Sequence, residues 1–114
     1  MANTFKNRTL RAVGTGATDV GAIVAPNTET TLIGMTMANI TTGVINVTVQ
    51  LINHPSGGSA TTTHIVKDAP IPTGGSLIVL GGDQKVVLME DDKITVTSNT
   101  ASSVDVIMSF LEIK

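Results

Sequence analysis

The sequence predicts an all-β fold, an antiparallel β-sandwich of jelly-roll or Greek-key type with about eight short strands. Three observations predict it. Val, Ile and Thr are abundant, and these Cβ-branched residues lose rotamer freedom in a helix but fit a pleated surface. Several segments alternate apolar and polar residues with a period of two. Turn signals recur at roughly eight- to twelve-residue intervals, and no segment holds a helical period for three turns. A chain of 114 residues has room for one core.

Residues 1–11 read as an extended arm or edge strand, with Phe5 an isolated apolar anchor among polar residues, and residues 12–114 as one β-sandwich domain. Residues 30–38 read as a strand with Ile33, Met35 and Met37 on one face and Leu32, Gly34, Thr36 and Ala38 on the other. Residues 39–43 supply Asn and Gly for a turn. The clearest strand is 44–52, with Ile45, Val47, Val49 and Leu51 inward and Asn46, Thr48 and Gln50 outward. Pro55, Gly57 and Gly58 mark a loop before the next strand at 61–67. Pro70 and Pro72 then confine 69–75 to a sheet edge or an irregular crossing.

A short strand at 77–80 ends at Gly81 and Gly82, and 86–89 follows. The acidic turn Glu90, Asp91, Asp92 leads into 93–97, with Ile94 and Val96 inward. Residues 98–102 turn the chain into the last strand, 103–113, which is apolar on both faces: Val104, Val106, Met108 and Phe110 on one, Ile107, Leu111 and Ile113 on the other. A strand with two apolar faces needs cover on both sides, one from its own second sheet and one from another subunit.

Composition excludes several functions. With no Cys there is no disulfide, thiolate metal site or Cys nucleophile. A net charge of −2 gives no electrostatic basis for nucleic-acid binding. The polar start and the lack of a long apolar run predict a soluble chain with no membrane partner. Asn7, Asn39 and Asn46 open glycosylation-type tripeptides, which a Thr-rich chain contains by chance. With no Trp or Tyr, platforms for sugars or single-stranded nucleic acid are missing. Between Val20 and Val66 the only formal charge is Glu29, so that half either hydrates through Thr, Asn, Ser and Gln or is covered by neighbouring subunits.

No catalytic residue, metal ligand set or cofactor site is predicted. His54 and His64 flank one loop, but two ligands are too few for a metal site and a third, such as Asp68, would be needed. Glu90, Asp91 and Asp92 read as a solvated turn rather than a cation site or an acid/base pair. Gly14 and Gly16 are not followed by a helix that could hold a phosphate. No nucleophile elbow is present, so the chain reads as a non-enzyme. Seven residues are the candidates for interaction: Phe5, Lys6, Arg8 and Arg11 in the arm, and Ile107, Leu111 and Ile113 on the second face of the last strand.

The second half carries a resemblance. Residues 69–77 (APIPTGGSL), 85–94 (KVVLMEDDKI) and 104–113 (VDVIMSFLEI) resemble small virion structural proteins of tailed bacteriophages, of the marine and cyanophage type. The likeness covers about the last 45 residues, and it departs from the family where Asp91-Asp92 stands in place of an acidic-Gly turn. It implies a β-sandwich subunit of a virion, assembled in the host cytoplasm. The role implied is capsid decoration or cement, binding the shell as an oligomer and bridging capsomers. Its partners would be itself, with a trimer favoured, and the major capsid protein or another virion protein. A neck, baseplate or fibre-base component is the alternative, and a receptor or glycan-binding module a more distant one.

Overall fold

The computed structural model describes residues 3–21, 23–53, 60–81 and 85–114. Among the described residues nine strands follow one another: β1 (Asn3–Val13), β2 (Thr18–Asp19), β3 (Glu29–Asn39), β4 (Ile45–Asn53), β5 (Thr61–Ile71), β6 (Ser76–Leu80), β7 (Val86–Leu88), β8 (Lys93–Ser98) and β9 (Val104–Ile113). The pairings nest. β4 pairs with β5, β3 with β6 and β7, β2 with β8 and β1 with β9, all antiparallel. The chain is thus one long hairpin rolled on itself, giving a first sheet ordered β1-β9-β3-β6, with β7 also on β3, and a second sheet ordered β2-β8-β4-β5. That order is a jelly roll.

The core lies between the inward faces of the two sheets. Leu32, Met35 and Met37 of β3 and Val104, Val106, Met108 and Phe110 of β9 meet Ile45, Val47 and Val49 of β4, Ile94 and Val96 of β8 and Ile71 of β5, all of them buried. Sheets stacked about 10 Å apart are filled by interdigitating aliphatic side chains, so a core with one ring is sufficient. The alternation expected for β4, β8 and β9 is the one observed.

β3 departs from strict alternation. The register against β9 slips between Leu32 and Gly34, so one extra residue, Ile33, is accommodated in a β-bulge. The slip places Leu32, not Ile33, on the core side with Met35 and Met37. The expected facing of Ile33 and Leu32 is therefore reversed, because a period of two cannot survive an insertion of one. β5 runs on to Ile71 and takes in Pro70, which is tolerated because β5 is an edge strand of the second sheet. Its pairing with β4 slips twice, and Asp68 holds φ 50° with its N–H donated to Thr48 Oγ1 at 3.1 Å.

Two turns show how local chemistry fixes the ends of strands. In Pro72-Thr73-Gly74-Gly75 the Gly75 N–H bonds to the Pro72 carbonyl at 2.9 Å, and Gly74 has φ 71°, as a type II turn requires. In Met89-Glu90-Asp91-Asp92 the same bond spans 3.1 Å and Asp91 takes the glycine-like position at φ 68°. Asp tolerates this region better than most side chains, which accounts for Asp91 where a Gly would serve.

Candidate assembly surface

Among the described residues, four of the exposed large apolar side chains, Phe5, Ile78, Val87 and Ile107, stand on the outward face of the first sheet. The strand registers lay its residues in rows. Phe5, Leu111, Thr31 and Val87 lie side by side across β1, β9, β3 and β7. Four positions along the strands, Thr9, Ile107, Thr36 and Ile78 form a second row across β1, β9, β3 and β6. Between them runs a low row of Asn7, Ser109 and Gly34, flanked on the β3 side by half-buried Ile33. Phe5 is 75% exposed, Ile78 70%, Ile107 56% and Val87 50%, although each sits in a regular strand. The outward face of the second sheet is different in kind. It carries Asn46, Thr48 and Gln50 on β4 and Thr95 and Thr97 on β8, with a Lys93–Asp19 ion pair at 3.1 Å.

Four of the seven candidate residues, Phe5, Ile107, Leu111 and Ile113, come together on that apolar face, at alternate positions of β1 and β9. Lys6 and Arg8 do not. They have the opposite parity on β1 and turn toward the inner side of the sandwich edge, where Lys6 Nζ donates to Glu112 Oε1 at 3.1 Å and the Arg8 guanidinium lies 5.6 Å from the centre of the Phe110 ring. Gly21, at φ 79°, lets the loop after β2 pass the Arg8 stem, since a Cβ there would lie 3.1 Å from Arg8 Cγ. Arg11 is exposed beside a second bulge, where Ala12 holds φ 54° and gives its N–H to Asp105 Oδ1 at 2.9 Å.

The hydrogen bond from Lys6 holds the Glu112 carboxyl below the usual glutamate pKa, against the opposing effect of partial burial, with Lys114 3.4 Å away adding to the shift. A carboxyl whose pKa is lower in the folded state contributes stability above its unfolded value, near pH 4.3, and that contribution is lost as pH falls through the folded value. Glu112→Gln is therefore expected to lower the urea midpoint slightly at pH 7, and the difference from the parent is expected to shrink below about pH 4. Urea titrations from pH 3 to 7 read both limbs.

The residues considered for chemistry are dispersed or structural. His54 lies outside the described residues, and His64 Nε2 is 3.1 Å from Gln50 Nε2 on the outward face of the second sheet. Among the described residues no three His, Cys, Asp or Glu side chains cluster as a metal site. Of the acidic turn, expected to be solvated, Asp92 is 2% exposed: its carboxylate accepts from the Met89 N–H at 2.9 Å and from Asn53 Nδ2 at 3.2 Å. Glu90 accepts from the Asn27 N–H at 3.0 Å, so these two acids tie the turn to neighbouring loops. The Gly14 carbonyl takes the Ser98 N–H at 2.9 Å, a strand-end bond with no helix following. Asn39, which opens a glycosylation-type tripeptide, is buried.

The connections β1–β2, β3–β4, β5–β6 and β8–β9 gather at one end of the sandwich, linked by bonds from Asn39 N–H to Gly75 O, Ile40 N–H to Ser103 O and Ser103 N–H to Val13 O, each 3.0 Å. Residues 13–17, 39–44, 71–75 and 98–103 contain no charged side chain, and Ile40 and Val44 are exposed there. Sequence reading did not single out Ile40, Val44, Ile78 or Val87. For Ile78 and Val87 the signal was present in the apolar residues at both parities of 77–80 and 86–89, as in β9.

No protein-family model matches this chain, and no curated protein sequence matches it. Solved structures do. A chain of the Bacillus endospore appendages, described as disulfide-linked pili, superposes with a TM-score of 0.56 at 14% identity, covering 99% of this chain and 87% of that one. A chain of the T13 particle of IBDV, an icosahedral virus, superposes with a TM-score of 0.50 at 10% identity, covering 95% of this chain and 30% of that one. This chain thus spans under a third of the viral chain. At these identities the likeness is one of fold, a jelly roll matched over nearly its whole length.

Proposed function

We propose that this chain is a non-enzymatic structural subunit of an assembled particle, and specifically a decoration or cement protein that binds a capsid shell as an oligomer and bridges capsomers. The observation that carries this reading is the apolar centre of the first sheet's outward face, on which Phe5, Ile78, Val87 and Ile107 stand at least half exposed, with Glu29 and Asp105 toward its two ends. The described charged groups lie off the centre of that face, and Lys6, Arg8 and Glu112 are engaged with their own fold. Depletion of charge and enrichment of aliphatic and aromatic side chains is how the centre of an interface is built. The uncharged, hydrogen-bonded loop end offers a second surface, and a subunit that bridges others needs two. Three copies suit the three-fold positions of a shell, and many weak contacts on a lattice add to firm attachment.

The two solved likenesses support the same general reading, since one belongs to a virus particle and the other to a pilus. The pilus likeness, which extends over most of both chains, favours a second reading as a neck, tail or filament component. This sequence has no Cys, so neither assembly can be held by disulfides from these residues.

Copy number separates the two. Quantitative mass spectrometry of purified particles carrying the chain is expected to give on the order of hundreds of copies per particle for a shell protein and about a dozen or fewer for a neck or tail component. Finding the chain only free, outside any particle or filament, overturns both.

A further inference from the structure

We infer that the cavity beside Arg8, between the two sheets, is a binding site for a small organic anion with an apolar body, a monocarboxylate of about the size of benzoate. The inference goes beyond the reading of the chain as an assembly subunit and does not rest on it. The cavity measures about 170 Å³. Its inner wall is made by Val20, Val24, Thr30, Leu88, Met108 and Phe110, every one of them buried. Val20 and Val24 belong to a segment tied to the second sheet, through the Val20 N–H to Ile94 O at 2.8 Å and the Val24 N–H to Asp92 O at 3.1 Å, while the other four stand on the first sheet. Both layers of the sandwich therefore bound it. An apolar cavity of about 150 Å³ is enough to admit a benzene molecule.

The mouth supplies the charge. Arg8, Ile23 and Ala25 are the exposed members of the lining, and Gly21 and Glu112 are half-buried. The Arg8 stem passes Gly21, and its guanidinium ends 5.6 Å from the centre of the Phe110 ring. It therefore stands where the lining changes from exposed to buried. Arg8 Nη1 donates to the Asn7 carbonyl at 3.2 Å, and among the described residues no acid lies within ion-pair distance of Arg8. A guanidinium carries five N–H donors in a planar fork, so donors remain for a carboxylate. The other ionised group in the lining, Glu112, is held by Lys6 at 3.1 Å and Lys114 at 3.4 Å. Three cations thus stand with one carboxylate, and the local charge favours an anion. Glu90 and Asp91 border the neighbouring cleft and not this cavity. An inorganic anion would use the cation and leave the apolar wall empty, and a hydrocarbon would use the wall without the cation. A carboxylate on a ring or branched body uses both.

Titration of the full chain, followed through the methyl signals of Val20, Val24, Leu88 and Met108 by NMR, tests it with three probes. Benzoate has the ring and the charge, benzyl alcohol the ring without the charge, and acetate the charge without the ring. Benzoate is expected to shift those methyls and to saturate with a Kd of about 1 mM or below, the other two binding at least ~10-fold more weakly. Arg8→Gln is expected to bring benzoate to the level of benzyl alcohol and to leave benzyl alcohol unchanged. Arg11→Gln, which removes an exposed cation outside the lining, is expected to change none of the three. The probe series on the parent decides by itself if either variant is unfolded. Absence of methyl shifts at ~10 mM benzoate, or equal affinity of benzoate and either other probe, overturns the inference. So does benzoate binding that survives Arg8→Gln, or that Arg11→Gln weakens as much as Arg8→Gln does, since the latter marks general attraction to a basic edge. Each of these outcomes leaves the structural role, which copy number tests, standing.

Discussion

Phe110→Ala is expected to destabilise the domain by about 3–5 kcal/mol and to lower Tm by at least ~10 °C, measured by urea and thermal denaturation followed by circular dichroism. Phe110 is one of two Phe residues in the sequence and is 5% exposed on the inward face of β9. Its ring borders a cavity that Val20, Val24, Leu88 and Met108 also line. Removing the ring leaves a cavity that β9 cannot collapse into, because β1 and β3 hold it on both sides. Arg8 lies over the same ring and loses its platform. Arg8→Ala should therefore cost less in the Phe110→Ala background than in the parent, with a coupling of roughly 0.5–1 kcal/mol in a double-mutant cycle. Phe110→Leu, which keeps most of the volume, should cost under about 2 kcal/mol.

Asn39→Ala is expected to cost about 2–3 kcal/mol, more than any exposed Asn in the chain, and to expose the loop end to hydrogen exchange. Asn39 is 5% exposed, and its amide is fully engaged: Nδ2 donates to Gly43 O at 2.8 Å and to Ile71 O at 2.9 Å, while Oδ1 accepts from the Thr41 N–H and hydroxyl, both at 2.8 Å. One side chain thus joins the β3–β4 connection to the end of β5. Alanine removes both donors and leaves the carbonyl of Ile71, a residue with no exposed surface, without its side-chain partner. Asn39→Asp should do no better at pH 7, because a carboxylate would face two carbonyl oxygens with no proton to give. Retained exchange protection of the 40–44 and 72–75 amides in Asn39→Ala would contradict this account.

The apolar face and the core were legible to different depths. Ile107, Leu111 and Ile113 could be placed on a second apolar face from the sequence because β9 is apolar at both parities. Phe5 was identifiable as an anchor, but its place beside Leu111 depends on β1 pairing with β9 across almost the whole length of the chain. Lys6 and Arg8 looked like free charges of an arm. Their engagement follows from the parity of β1 once it is laid against β9, which brings Glu112 and Phe110 beneath them. Asp92 looked solvated because it stands among acids in a turn. Its burial depends on Asn53, 39 residues earlier, and no local pattern reports that.

What the sequence determined by itself is what depends on near neighbours: an all-β fold from Cβ-branched residues at period two, turns at Gly, Pro, Asn and Asp, and the inward faces of β4, β8 and β9. What only the tertiary structure decided is whatever an insertion or a distant strand controls. The bulge at Ile33 reverses which residues of β3 enter the core, because one added residue inverts the facing of those on either side of it. The pairing of β1 with β9, and of β9, β6 and β7 with β3, places five strand segments in one sheet and assembles the rows of the apolar face from all five. Those rows exist only across strands, so alternation along a single strand can supply their residues but not their order.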